Sequence, residues 1–124
     1  MKAKSIFLIL LLITLSLSVT KVYAAVTLVY FTAKTVDLKV ILEWETASEI
    51  DMLYFVLLRS DQENGNYSQI GDFIYTQGSS VSGLIYQYVD SDVTLNKTYY
   101  YKLEAVDENY QSQFYGPLSI TVRI

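Results

Sequence analysis

From Leu38 to Trp44 the chain reads Leu-Lys-Val-Ile-Leu-Glu-Trp, and from Tyr99 to Ala105 it reads Tyr-Tyr-Tyr-Lys-Leu-Glu-Ala. In an extended chain successive side chains point to opposite faces, so Leu38, Val40, Leu42 and Trp44 share one face and Lys39, Ile41 and Glu43 the other. The second segment sorts the same way: Tyr99, Tyr101, Leu103 and Ala105 on one side, Tyr100, Lys102 and Glu104 on the other. A helix would scatter these residues around its circumference. A period of two therefore commits both segments to half-buried strands.

Five further runs read as strands: Val26–Ala33, Met52–Arg59, Tyr67–Tyr75, Leu84–Val89 and Phe114–Arg123. Turn-forming residues separate them, as in Glu63-Asn64-Gly65-Asn66, Gln77-Gly78-Ser79-Ser80, Asp90-Ser91-Asp92 and Asp107-Glu108-Asn109. Only Thr46 to Met52 could be helical, and it is too short to stand without tertiary help. Seven short strands at this spacing predict an all-β, two-sheet sandwich rather than a βαβ fold.

The N-terminus predicts the compartment. Lys2 and Lys4 precede an apolar run from Ile6 to Val19, interrupted by Thr14, Ser16 and Ser18. Val22-Tyr23-Ala24 then offers compact residues three and one before a cleavage point, the pattern of a signal peptide over residues 1–24. The run is shorter than the roughly 20 apolar residues a spanning helix requires. A secreted, extracytoplasmic domain of residues 25–124 is expected, touching the membrane only through its transient signal sequence. A leader at residue 1 also leads to the expectation of a complete small protein rather than the tail of a larger exported enzyme.

Those 100 residues suffice for one core without staples. The chain has no cysteine, so neither a disulfide nor a lipid-bearing cysteine can hold it. Loss of Lys2, Lys4 and Lys21 takes the net charge from −4 to −7. Phosphate backbones and anionic headgroups repel such a domain, which argues against nucleic acid and membrane surfaces as partners.

Trp44 with the acidic stretch after it, and Tyr54-Phe55-Val56-Leu57-Leu58-Arg59-Ser60, resemble strands B and C of fibronectin type III domains. Val93-Thr94-Leu95-Asn96-Lys97-Thr98-Tyr99-Tyr100-Tyr101-Lys102-Leu103-Glu104-Ala105-Val106 resembles that family's E–F turn and strand F. The likeness spans nearly all of Val26 to Ile124 and implies an immunoglobulin-like sandwich of about seven antiparallel strands. Trp44-Glu45-Thr46-Ala47-Ser48-Glu49, with Arg59-Ser60 and Glu63-Asn64-Gly65, is similar to modules on exported prokaryotic proteins. The resemblance implies that Trp44 and Tyr99 are structural core residues, Tyr99 returning its hydroxyl to nearby backbone as a tyrosine corner. Asn96-Lys97 departs from the family's usual Pro-Gly or Asn-Gly turn.

Histidine is absent along with cysteine, which removes the common general base, the thiol nucleophile and the usual zinc ligands. There is no Gly-x-Ser-x-Gly elbow and no glycine-rich phosphate loop, so no catalytic residue and no cofactor is expected. Glu43, Glu45, Glu49 and Asp51 read as a solvated acidic loop, since so small a domain lacks a cleft for paired-acid catalysis. Asp90-Ser91-Asp92 supplies too few oxygens for calcium and reads as Asx turns, leaving no metal site. Asn66-Tyr67-Ser68 and Asn96-Lys97-Thr98 match the glycosylation sequon, which in a prokaryote-like chain is mostly chance.

The expected function is non-enzymatic protein contact or adhesion outside the cell, by an unknown protein partner or self-association. A small carbohydrate-binding module is the alternative. If strands C and F are neighbours, Phe55, Leu57, Tyr99 and Tyr101 point inward, and Tyr86 and Tyr88 also alternate into the core. Tyr54, Val56, Leu58 and Tyr100 then turn outward together as the candidate partner-contact face.

Overall fold

The computed structural model describes Ser18 and residues 24–124; the expected leader otherwise lies outside the described residues. Seven strands follow one another: β1 (Ala25–Val36), β2 (Lys39–Ile50), β3 (Met52–Ser60), β4 (Ser68–Tyr75), β5 (Ile85–Asp90), β6 (Thr98–Asp107) and β7 (Ser112–Thr121). They form two antiparallel sheets, ordered β1-β2-β5 and β4-β3-β6-β7. The alternation read from the sequence is the reason. Each central strand has an apolar side to bury against the opposing sheet, and stacking the sheets buries both sides at once.

Trp44 is the centre of the core, fully buried on β2. Its ring stacks on Tyr86 of β5 at 5.5 Å and meets Phe55 of β3 edge-on at 5.6 Å, so three strands from both sheets converge on it. Val40 and Leu42 line β2 beside it; Leu57, Tyr101, Leu103 and Ala105 face them from the other sheet. Among the described residues the Trp44 Nε1 has no hydrogen-bond partner, which costs about 1–3 kcal/mol against the packing gained.

Two expectations are corrected. Leu38 does not begin the inward stripe of β2: with Asp37 it forms the two-residue turn between β1 and β2, closed by the Val36–Lys39 pair. Both turn residues have positive φ (49° and 62°), the twist a tight hairpin demands, and Leu38 is exposed. Thr46 to Met52 is not helical. β2 runs on to Ile50, and Asp51 alone, at φ 53°, passes the chain to β3 in the other sheet. Pairing of Ala25 to Thr27 with Ser48 to Ile50 gives this stretch the backbone partners a short helix would lack.

The Asp90-Ser91-Asp92 and Asn96-Lys97 turns both connect β5 to β6. Asp92 N–H donates to Asp90 Oδ1 at 3.1 Å, the Asx turn expected there. Asn96 sits at φ 66°, a conformation asparagine tolerates without the glycine usual in the resembling family.

Replacing Leu38 with glycine should raise stability by about 0.5–1 kcal/mol, because the left-handed penalty of a branched side chain exceeds glycine's extra chain entropy. Trp44→Ala should lower it by about 3–5 kcal/mol. Urea midpoints measure both; an unchanged midpoint for Trp44→Ala would place the core elsewhere.

Candidate functional site

Two buried carboxylates stand at opposite poles of the sandwich, about 30 Å apart along β2. Asp90, at the end of β5, accepts from the Tyr101 hydroxyl at 2.7 Å and from Arg59 Nη1 at 2.9 Å. Arg59 also donates to the Asp92 carbonyl at 2.7 Å. Since Asp90 belongs to one sheet and Tyr101 and Arg59 to the other, the cluster bolts the sheets together.

At the other pole Glu49, 5% exposed, accepts from Thr46 Oγ1 at 2.7 Å, the Tyr86 hydroxyl at 2.6 Å and Gly78 N–H at 2.8 Å. Tyr86 Oη in turn accepts from Gln77 N–H at 3.0 Å. This corrects the reading of Glu43, Glu45, Glu49 and Asp51 as a solvated loop. The first three lie on β2, only Asp51 is a fully exposed linker, and Glu49 is a buried anchor for the 76–84 crossover. Glycine is required in that crossover: a Cβ on Gly83 would stand 1.8 Å from the Thr46 carbonyl oxygen.

Tyr99 is buried, and its hydroxyl accepts from Thr94 N–H at 3.0 Å. Lys97 Nζ and the Arg59 guanidinium each lie 5.2 Å from its ring centre. Among the described residues no three of His, Cys, Asp and Glu are grouped to hold a metal ion. Of the sequon asparagines, Asn66 is exposed and Asn96 Oδ1 accepts from Arg123 Nη1 at 2.8 Å.

The face opposite the core on the four-stranded sheet carries Tyr54, Val56, Leu58 and Tyr100. They are unequal. Val56 is 5% exposed, while Tyr54, Leu58 and Tyr100 are half-buried. Val56 sits beside the β4 bulge of Gly71, Asp72 and Phe73 on one side and Glu104 on the other. Phe73 lies flat on Tyr54 (4.4 Å, 9° between planes), and Tyr75 meets Tyr54 edge-on at 6.0 Å. Lys102 Nζ caps the Tyr67 ring at 4.2 Å. Across the sheet Phe114 pairs with Glu104 and faces the same way. Tyr75 and Phe114, 63% and 58% exposed, are therefore the open aromatic surfaces of this face. Phe73, Tyr75 and Phe114 were missed in the sequence because they lie on edge strands whose registers are broken by bulges.

Strand order and crossovers define a fibronectin type III-like β-sandwich. The chain is similar to a Fn3-like protein from Clostridium thermocellum, at 16% identity and TM-score 0.58, over 82% of this chain and 95% of that one. It also superposes on part of the pectate lyase PelI from Erwinia chrysanthemi, solved in complex with tetragalacturonic acid. There the identity is 16% and the TM-score 0.59, over 77% of this chain and 28% of the lyase. By sequence, 73 residues are 33% identical to a stretch of an amylopullulanase from Thermoanaerobacter thermohydrosulfuricus. That match takes 58% of this chain and 4% of the amylopullulanase, so the chain spans a small fraction of its curated relative. No protein-family profile matches the chain.

Burial, then the bond to Glu49, pushes the Tyr86 hydroxyl up to about 12; burial, then Asp90, raises Tyr101 as well. A raised tyrosine contributes stability that is intact below its unfolded value near 10 and is lost as pH climbs through the folded value. The urea midpoint should hold to about pH 10 and fall between pH 10 and 12. Tyr86→Phe should cost about 1–3 kcal/mol at pH 8 and flatten that alkaline fall. An equal alkaline fall in the variant would clear Tyr86 of responsibility. Tyr99→Phe should lower the urea midpoint by the equivalent of about 1–2 kcal/mol and remain folded.

Proposed function

We propose that the chain is exported and serves outside the cell as a non-enzymatic contact module, with polysaccharide as its ligand. The observation that carries this is the chemistry of the open surface: Tyr54, Phe73 and Tyr75 form a rigid aromatic group on one edge, with Phe114 across the sheet. Flat rings held by their neighbours offer an apolar platform to the faces of sugar rings and lose little freedom on binding. The amylopullulanase stretch supports the reading, since that name belongs to a polysaccharide-degrading enzyme of which this chain matches only a small part. Catalysis is assigned to no residue. The two buried acids are occupied structurally, Asp90 in joining the two sheets and Glu49 in anchoring the 76–84 crossover.

Protein contact through Tyr54, Val56, Leu58 and Tyr100 is the second reading. It is weaker because Val56, the middle of that group, is covered. For the same reason Val56→Lys would destabilise the fold and test nothing about binding.

Migration in gels containing amylopectin, pullulan or polygalacturonate gives the measurement. Retardation by at least one neutral glucan is expected, with Phe73→Ala/Tyr75→Ala about tenfold weaker at nearly unchanged thermal stability. Retardation equal in parent and variant would remove the aromatic face from the function. Exported protein should begin at Ala25 by mass spectrometry; retention of Met1 to Ala24 would overturn export as a free domain.

A further inference from the structure

The two sheets end in four edge strands, β1 and β5 on one and β4 and β7 on the other. Three are protected against pairing with another chain. β1 is bulged between Thr27 and Tyr30, β4 is bulged at Gly71 to Phe73, and β7 is interrupted by a register shift and Gly116-Pro117. β5 has none of these devices. It pairs with β2 in unbroken register from Ile85 to Asp90, and contains no proline, glycine or lysine.

The free side of β5 can be read from its bound side. Thr46 N–H donates to the Leu84 carbonyl at 3.0 Å, so Leu84 turns its backbone toward β2. Backbone groups alternate along an antiparallel strand, which turns Tyr86, Tyr88 and Asp90 toward β2 as well. Ile85, Gln87 and Val89 therefore aim their N–H and C=O groups at the open edge. The same three residues point their side chains to solvent, Ile85 being 61% exposed, while Tyr86 and Tyr88 point into the core.

We infer that β5 pairs antiparallel with β5 of a second copy of this chain, about a twofold axis through Gln87. This register sets Gln87 against its twin and Ile85 against Val89 at both ends. Every one of the three free-edge residues then meets another free-edge residue, and each apolar side chain meets an apolar one on the same sheet face. No other register about a twofold axis pairs all three. Charge favours the same place. The chain is acidic overall and repels its own copies, but Ile85 to Val89 carries no charge, and Asp90 beyond it is already paired with Arg59. The result is a continuous six-stranded sheet, on a different surface from the aromatic group.

Sedimentation equilibrium on the purified chain tests this with two variants, Ile85→Glu/Val89→Glu and Ile85→Lys/Val89→Lys. Parent protein should show a concentration-dependent monomer–dimer equilibrium. Each variant alone should associate at least tenfold more weakly, because the register sets like charges opposite one another, while circular dichroism shows an unchanged fold. An equimolar mixture of the two should regain association, which a misfolded variant could not do. A parent that stays monomeric at about 100 µM, variants that dimerise like the parent, or a mixture that fails to recover would each overturn the pairing. Glucan retardation of the variants is a separate readout and should match the parent per domain.

Discussion

The Asp90 carboxylate holds the sandwich in one arrangement. Sheet stacking by apolar contact is nondirectional, and two flat hydrophobic faces can slide with modest loss. A buried carboxylate cannot slide, because parting from the Tyr101 hydroxyl and Arg59 would leave an uncompensated charge. Glu49 at the other pole acts within one sheet: it joins β2 to Tyr86 of β5 and fixes Gly78 of the crossover that arrives from β4. Each acid is met by a tyrosine whose ring is itself part of the core, so one side chain both packs and orients. A domain without disulfides thereby gains two directional constraints from five residues.

The fold was legible because the alternation is strict in two deeply buried strands, from Val40 to Thr46 of β2 and from Tyr99 to Ala105 of β6, whereas β3 buries Phe55, Val56 and Leu57 in succession. The inward positions of Trp44, Tyr99 and Tyr101 follow from the period, and those of Phe55 and Leu57 from the family likeness that sets their strand beside β6. The errors fall where another force overrides it. Leu38 obeys the period but occupies a turn, since hairpin geometry needs two left-handed residues there and the chain supplies Asp37 and Leu38. Glu49 reads as solvent-facing because a carboxylate is normally solvated; its burial depends on Tyr86 and Gly78, distant in sequence. On the outer face of the four-stranded sheet, the residues of β3 and β6 were legible and those of the edge strands were not. Bulges at Gly71 to Phe73 and between Tyr101 and Leu103 shift which residues come level with Val56 and Glu104.

Bulges also separate the two surfaces by role. On β4 the bulge protects the edge and, by turning Phe73 against Tyr54, builds the aromatic group. Gly71 makes this possible, since a Cβ there would fall 2.5 Å from the Tyr88 ring crossing from the other sheet. β5 supplies that ring and remains straight. One edge is thus bent around an aromatic group and the neighbouring one left regular.

The ends of the domain lie at opposite poles. Ala24 sits near Asp51 and Gln113, whereas Thr35 Oγ1 binds Arg123 through both its backbone N–H and carbonyl at the far end of β1 and β7. Tension applied between Ala25 and Arg123 would therefore run along about 40 Å of β1, parallel to β7. It would shear the whole β1–β2 ladder at once instead of peeling it bond by bond. Lengthwise load on this domain is thus shared among all the backbone bonds of the ladder instead of falling on one of them at a time.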